Sequence, residues 1–223
     1  MPFPTQPRHM VRRLSGCMLA WLGLVLLTAC GRPAEPQFTA LPQGSTVLVV
    51  GDSLVAGTGA AAGRDWPAGL AQRTGWDVVN AGVPGDTTAD AQRRLGELID
   101  THQPQAIVLA IGGNDFLRNV PPERTRANLD AMLRASLAAT GHVALVAIPA
   151  KSVGAALAGR LADHPLYAEL AATHPVAQVP EVVADVLSRD ELRADRIHAN
   201  AAGYARIADG VADALARQGW IAR

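Results

Sequence analysis

Five short apolar runs are spaced along the chain: Thr46 to Val50, Asp77 to Asn80, Ala106 to Ile111, Val143 to Ile148 and Val176 to Val179. Most are continuous rather than alternating and carry many β-branched residues, as strands of a parallel sheet buried on both faces do. The segments between them have helical spacing. Pro67 stands at a first-turn position ahead of Ala68 to Arg73, and Thr87 or Thr88 starts a second helix that runs to Asp100. A third, Thr125 to Ala139, sets Leu129, Met132, Leu133 and Leu137 on one face and ends near Gly141. The last begins at Asn200 as N-cap and aligns Tyr204, Ile207, Val211 and Leu215. Strand and helix in alternation predict an α/β protein with a doubly wound parallel sheet and short right-handed crossovers. Ligands of such sheets sit beyond the carboxyl ends of the strands. Ser53, Gly85 and Asn114 each follow a predicted strand, so they fall on one rim.

The first residues follow a different pattern. Arg8, Arg12 and Arg13 form a positive start, Cys17 to Leu27 is an apolar stretch too short for a comfortable membrane span, and small residues close it. This reads as a signal over residues 1–29. Residues 30–44 are rich in Pro and in small or polar residues, which predicts a flexible tether, and residues 45–223 form one domain. Three of the 20 basic residues and none of the 20 acids lie in the signal, leaving 17 basic against 20 acidic residues, a net charge of −3. A mildly acidic domain offers no footprint for nucleic acid. Leu27-Thr28-Ala29-Cys30 resembles the lipobox of bacterial lipoproteins, in which the cysteine becomes the lipidated first residue of the mature chain. Cys17 leaves with the signal, so Cys30 is the last cysteine and no intrachain disulfide can form. Gly31 in place of Asp resembles lipoproteins sent on to the outer membrane. The expected location is therefore the cell envelope, lipid-anchored and facing the periplasm.

The chemistry lies in three strings: Gly51-Asp52-Ser53-Leu54, Gly112-Gly113-Asn114-Asp115 and Asp195-Arg196-Ile197-His198. A serine at the end of a buried strand needs a base, a carboxylate to orient that base, and donors for a developing oxyanion. Of the histidines, His9 leaves with the signal, His102 and His142 precede strands at the far end of the sheet, and His164 and His174 fall in an irregular stretch. His198 remains, three residues after Asp195, where a tight turn brings the carboxylate to Nδ1 and leaves Nε2 for Ser53. One carboxylate and one imidazole do not make a zinc site, and no HExxH string is present, so no metal and no cofactor are expected. Val55 stands where a Gly-x-Ser-x-Gly elbow needs glycine.

These strings, with Gly85 in Asn80-Ala81-Gly82-Val83-Pro84-Gly85-Asp86-Thr87, resemble the four blocks of the SGNH, or GDSL, hydrolases, and closest the arylesterase and thioesterase I branch. The resemblance runs from about Thr46 to the end of the chain. It implies a flavodoxin-like three-layer α/β/α fold with a five-stranded parallel sheet, and a monomeric acylhydrolase acting on small acyl esters, thioesters or lysophospholipids. It implies Ser53 as nucleophile, His198 as base and Asp195 as its partner. The oxyanion hole it implies is made of the Ser53 and Gly85 N–H groups and the Asn114 amide. One departure is Ala199, where many relatives have proline after the catalytic histidine. Ala150 to His174, with Leu157, Leu161, Leu166 and Tyr167, is the expected acyl-pocket segment, and Leu166 and Tyr167 are the candidate substrate contacts. Two other readings stay open: a carbohydrate or peptidoglycan O-acetylesterase using the same triad, and a non-catalytic envelope lipoprotein that kept the fold for binding.

Overall fold

The computed structural model describes Met1, residues 38–150 and residues 160–222. Beyond Met1, the proposed signal lies outside the described residues, as do Cys30 and residues 31–37 of the tether. Five strands form one sheet: β1 (Thr46–Gly51), β2 (Asp77–Gly82), β3 (Ala106–Ala110), β4 (Val143–Val146) and β5 (Ala177–Val179). Their order is β2-β1-β3-β4-β5, with every neighbouring pair parallel. The central strands are the continuous apolar runs, and Val47 to Val50 and Ile107 to Leu109 are fully buried. β2 differs, because as an edge strand it is only partly covered and Asp77 and Asn80 are exposed.

Helices α1 (Ser53–Ala56), α2 (Trp66–Thr74), α3 (Thr88–His102), α4 (Gly113–Leu117), α5 (Pro122–Ala139), α6 (Leu166–Ala171), α7 (Val182–Leu187) and α8 (Ala201–Arg217) connect the strands or follow the last. α8 packs on α2 and α7, while α3 packs on α5 and α5 on α6. The four long helices are those the spacing predicts. Each has a local start signal: Asp65, Thr87 and Asn200 cap α2, α3 and α8, and α5 opens on Pro122. The Thr87–Asp90 pair closes a capping box. The short helices α1, α4, α6 and α7 were not predicted, since four to six residues hold too little of a 3.6-residue period to show it.

Residues 38–41, within the expected tether, lie against the end of the chain. The N–H groups of Phe38 and Leu41 donate to the carbonyls of Gln218 and Trp220 at 3.0 and 2.8 Å, and Phe38 packs edge-on against Trp220. The end of the proposed linker is thus seated on the chain's last turn, because Phe38 and Leu41 supply apolar surface that the Pro-rich composition conceals.

Candidate active site

The register of the sheet levels the strand ends that matter. Gly51 pairs with Gly82 of β2 and with Ala110 of β3, so the loops after β1, β2 and β3 leave from one height. After β1 the chain turns into α1 within two residues, which requires close approach of helix and sheet. A Cβ on Gly51 would lie 2.2 Å from Val55 Cγ2 and 2.4 Å from the Ala110 carbonyl; one on Gly82 would lie 2.3 Å from the Ala56 nitrogen. Glycine at both positions therefore lets α1 settle on the strand ends with Ser53 as its first residue.

The loop before α8 delivers the histidine. Asp195 Oδ1 accepts the N–H groups of Ile197 and His198, both at 2.8 Å, and its Oδ2 lies 2.7 Å from His198 Nδ1. A carboxylate only accepts, so Nδ1 carries the proton and Nε2 is left as an acceptor. Ser53 Oγ is 3.0 Å from that Nε2. The hydrogen bond from His198, helped by the two N–H groups, holds the Asp195 carboxyl below its ordinary range. Ala199 is fully buried and pairs with Arg193, and the Asn200 side chain donates to the Glu191 and Arg193 carbonyls at 2.9 and 3.3 Å. These bonds stiffen the turn in place of a proline ring.

Two of the candidate oxyanion donors, Gly85 and Asn114, come from the loops after β2 and β3. Gly85 has φ +89°, and among the described residues neither its N–H nor that of Ser53 has an acceptor. Arg118 donates to the Gly85 carbonyl at 2.9 Å, tying this loop to the end of α4. Asn114, second residue of α4, directs Nδ2 at the Asp86 carbonyl at 3.0 Å and toward Asp52 Oδ2 at 3.4 Å. Arg94 holds the Asp86 carboxylate at 2.8 Å and donates to the Gly51 carbonyl at 3.0 Å. Asp115 turns inward: its carboxylate accepts the Thr88 N–H and hydroxyl at 2.8 and 2.6 Å and the Thr125 hydroxyl at 3.3 Å, anchoring α4 to the starts of α3 and α5.

Asp52, Arg94, Asp115 and Arg118 escaped the sequence reading, although Asp52 and Asp115 sit inside its motifs. No predicted helix follows Asp52, so the one available signal was an N-cap residue type directly after a predicted strand. Its carboxyl is pushed up to about 6 by burial, against the opposing Leu54 N–H and the nearby His198.

Leu166 and Tyr167, the candidate substrate contacts, form the first turn of α6 and are 3% and 0% exposed. Leu166 belongs to the core. Tyr167 borders a cavity of about 580 Å3 shared with Leu161, His164 and Pro165, but its hydroxyl is committed to the Ile111 carbonyl at 2.8 Å. Apolar side chains at helical spacing were drawn inward once the segment became a helix. Leu157 lies outside the described residues. His164 stacks on Phe116, with ring centroids 4.5 Å apart, and burial pushes it down. His174 pairs with Asp130 at 3.1 Å. Among the described residues no group of three or more His, Cys, Asp or Glu side chains is placed to hold a metal ion.

The model of the GDSL-like lipase/acylhydrolase family matches residues 49–206. Over 207 residues the chain is 33% identical to thioesterase 1/protease 1/lysophospholipase L1 of Escherichia coli strain K12, covering 88% of this chain and 91% of that protein. It is 39% identical over 140 residues to esterase TesA of Pseudomonas aeruginosa, covering 60% of this chain and 62% of the relative. A crystal structure of TesA superposes with a TM-score of 0.68 at 30% identity, covering 76% of this chain and 97% of the other.

Proposed function

Because the chain belongs to the GDSL-like lipase/acylhydrolase family, we propose that Ser53, His198 and Asp195 are the working triad of its esterase, thioesterase and lysophospholipase-type activity. The observation that carries this reading is the continuous relay from Asp195 through His198 to Ser53, at 2.7 and 3.0 Å. Ser53 Oγ attacks the acyl carbonyl as its proton passes to His198 Nε2, while Asp195 stays ionised and stabilises the imidazolium. The oxyanion is met by the Ser53 and Gly85 N–H groups and by Asn114 Nδ2. Removing one such donor typically lowers turnover by about 10²- to 10³-fold. His198 then protonates the departing alkoxide or thiolate, and water repeats the sequence on the acyl-serine.

The substrate class is small acyl esters, thioesters or lysophospholipids. Cys30 is the lipidation point and the enzyme faces the periplasm from a membrane, the outer one in view of Gly31. The support is Leu27-Thr28-Ala29-Cys30 and the preceding signal pattern. A fluorophosphonate probe should label Ser53 in the wild type, and Ser53→Ala should lose both labelling and p-nitrophenyl acetate hydrolysis with an unchanged thermal melt. Residual hydrolysis above about a tenth of wild type would overturn the triad. p-Nitrophenyl esters of rising chain length, beside palmitoyl-CoA and lysophosphatidylcholine, then rank the substrates.

A further inference from the structure

A buried carboxyl stands beside the nucleophile and takes no part in the proton relay. Asp52 is 2% exposed, and its two oxygens face two different parts of the oxyanion site. Oδ1 accepts the Leu54 N–H at 3.0 Å and so caps the turn that displays the Ser53 N–H. Oδ2 lies 3.4 Å from Asn114 Nδ2, a side chain 62 positions further along.

An asparagine amide has a donor end and an acceptor end of almost equal shape. Rotated by half a turn, Asn114 would aim Oδ1 at an oxyanion and repel it. The two groups within reach of Nδ2, the Asp86 carbonyl at 3.0 Å and Asp52 Oδ2, are both acceptors, so each favours the donor end. A carbonyl cannot change that character at any pH. A carboxyl can, because on protonation the same oxygen becomes a donor and accommodates the flipped amide.

We propose that Asp52 is a positioning residue for oxyanion stabilisation: its ionised carboxylate keeps the donor end of Asn114 turned toward the nucleophile loop. The proposal rests on the reading of Ser53 as nucleophile and Asn114 as donor. One amide hydrogen stays on Asp86. The other exchanges its long contact to Asp52 for the oxyanion as charge develops there. The groups bearing on Asp52 come from every side: His198 from the loop before α8, Asp115 from α4, Tyr167 from α6 and Tyr204 from α8. Arg94 of α3 reaches the adjoining Gly51 carbonyl. Burial has moved the Asp52 carboxyl up to about 6, so the switch between acceptor and donor falls at mildly acidic pH.

Asp52→Asn keeps the volume and an equally good helix cap, so a purely structural role predicts near-normal kinetics. The expected result is a kcat about tenfold or more below wild type with KM within about twofold, a fraction of the loss of a whole donor. The acid limb of log kcat/KM against pH should fall more steeply than slope 1 in wild type, where protonation of His198 and of Asp52 each lowers the rate, and with slope 1 in the variant. On an Asn114→Ala background Asp52→Asn should change kcat no further. If thermal melting shows Asp52→Asn unfolded, Asp52→Ser, also a good cap, is read in the same three ways. A kcat within twofold of wild type, an unchanged acid slope, or losses that multiply with those of Asn114→Ala would overturn the proposal. Fluorophosphonate labelling of the wild type separates the two levels. A labelled wild type with unaffected Asp52 variants overturns this role alone, and an unlabelled wild type overturns the triad with it.

Discussion

Alanine at Gly112 should strike the core and the oxyanion side of the site together. Gly112 has φ +126°, and the place its Cβ would take is held by the Tyr167 hydroxyl, 2.3 Å away. Forcing an alanine into that backbone conformation costs about 1–3 kcal/mol. Overlap with a fully buried ring costs about 1–3 kcal/mol more. The total, roughly 2–6 kcal/mol, is a large part of a typical domain stability of about 5–15 kcal/mol. Tyr167→Phe alone strips the Ile111 carbonyl of its 2.8 Å donor, a loss of about 1–2 kcal/mol. In the double variant the hydroxyl is gone and the next ring atom is 3.6 Å from the new Cβ, an ordinary contact. The overlap then disappears while the backbone strain and the missing bond remain. The double variant should therefore be less destabilised than the sum of the two singles by about 1–3 kcal/mol. Urea unfolding of the four proteins under one set of conditions measures this coupling, provided the denaturant slope is shared. Turnover of p-nitrophenyl acetate by Gly112→Ala should fall as well, because Asn114 lies two residues beyond. Strictly additive losses, or a Gly112→Ala protein as stable as wild type, would refute the steric reasoning.

Asp90 is held down to about 2, first by the Thr87 hydroxyl and N–H and then by Arg93. A depressed folded value means stabilisation that is present above the ordinary 3.8 and lost as pH falls through about 2. Asp90→Asn should thus lower Tm at pH 7 and converge on wild type near pH 2; a constant difference at both would contradict the capping box as its source. Leu166→Ala, at a buried core position, should lower stability by about 2–5 kcal/mol and leave the ratio of octanoyl to acetyl kcat/KM unchanged. A selective loss on octanoyl esters would return Leu166 to the substrate pocket. Cys30→Ala should abolish incorporation of labelled palmitate and release the protein from membranes, since it removes the proposed point of lipid attachment. Retention of this variant after a high-salt wash would show another anchor.

The long elements were legible because their signals are local. Val47 to Val50 reads as a buried strand from its β-branched apolar run, and α3 and α8 announce themselves through Thr87 and Asn200. The proposed triad was legible for a related reason. Asp195 and His198 are three residues apart, and one turn held by the Ile197 and His198 N–H groups joins them without help from the rest of the fold.

What the linear order of residues determined, then, is which side chains are candidates to carry chemistry and which strand ends display them. It could not determine which groups occupy the space between those ends. Leu166 looks like a loop residue until α6 turns it into the core, and Asp52 looks like part of a motif until burial and Asn114 make it a group of its own. Asp86, Arg94 and Arg118 join the site only through bonds that span 8 to 43 positions along the chain. The reason is one of range. Helix caps, tight turns and hydrophobic periods depend on neighbours a few residues away, whereas desolvation and hydrogen bonding between loops depend on what the closed sheet brings within a few ångströms.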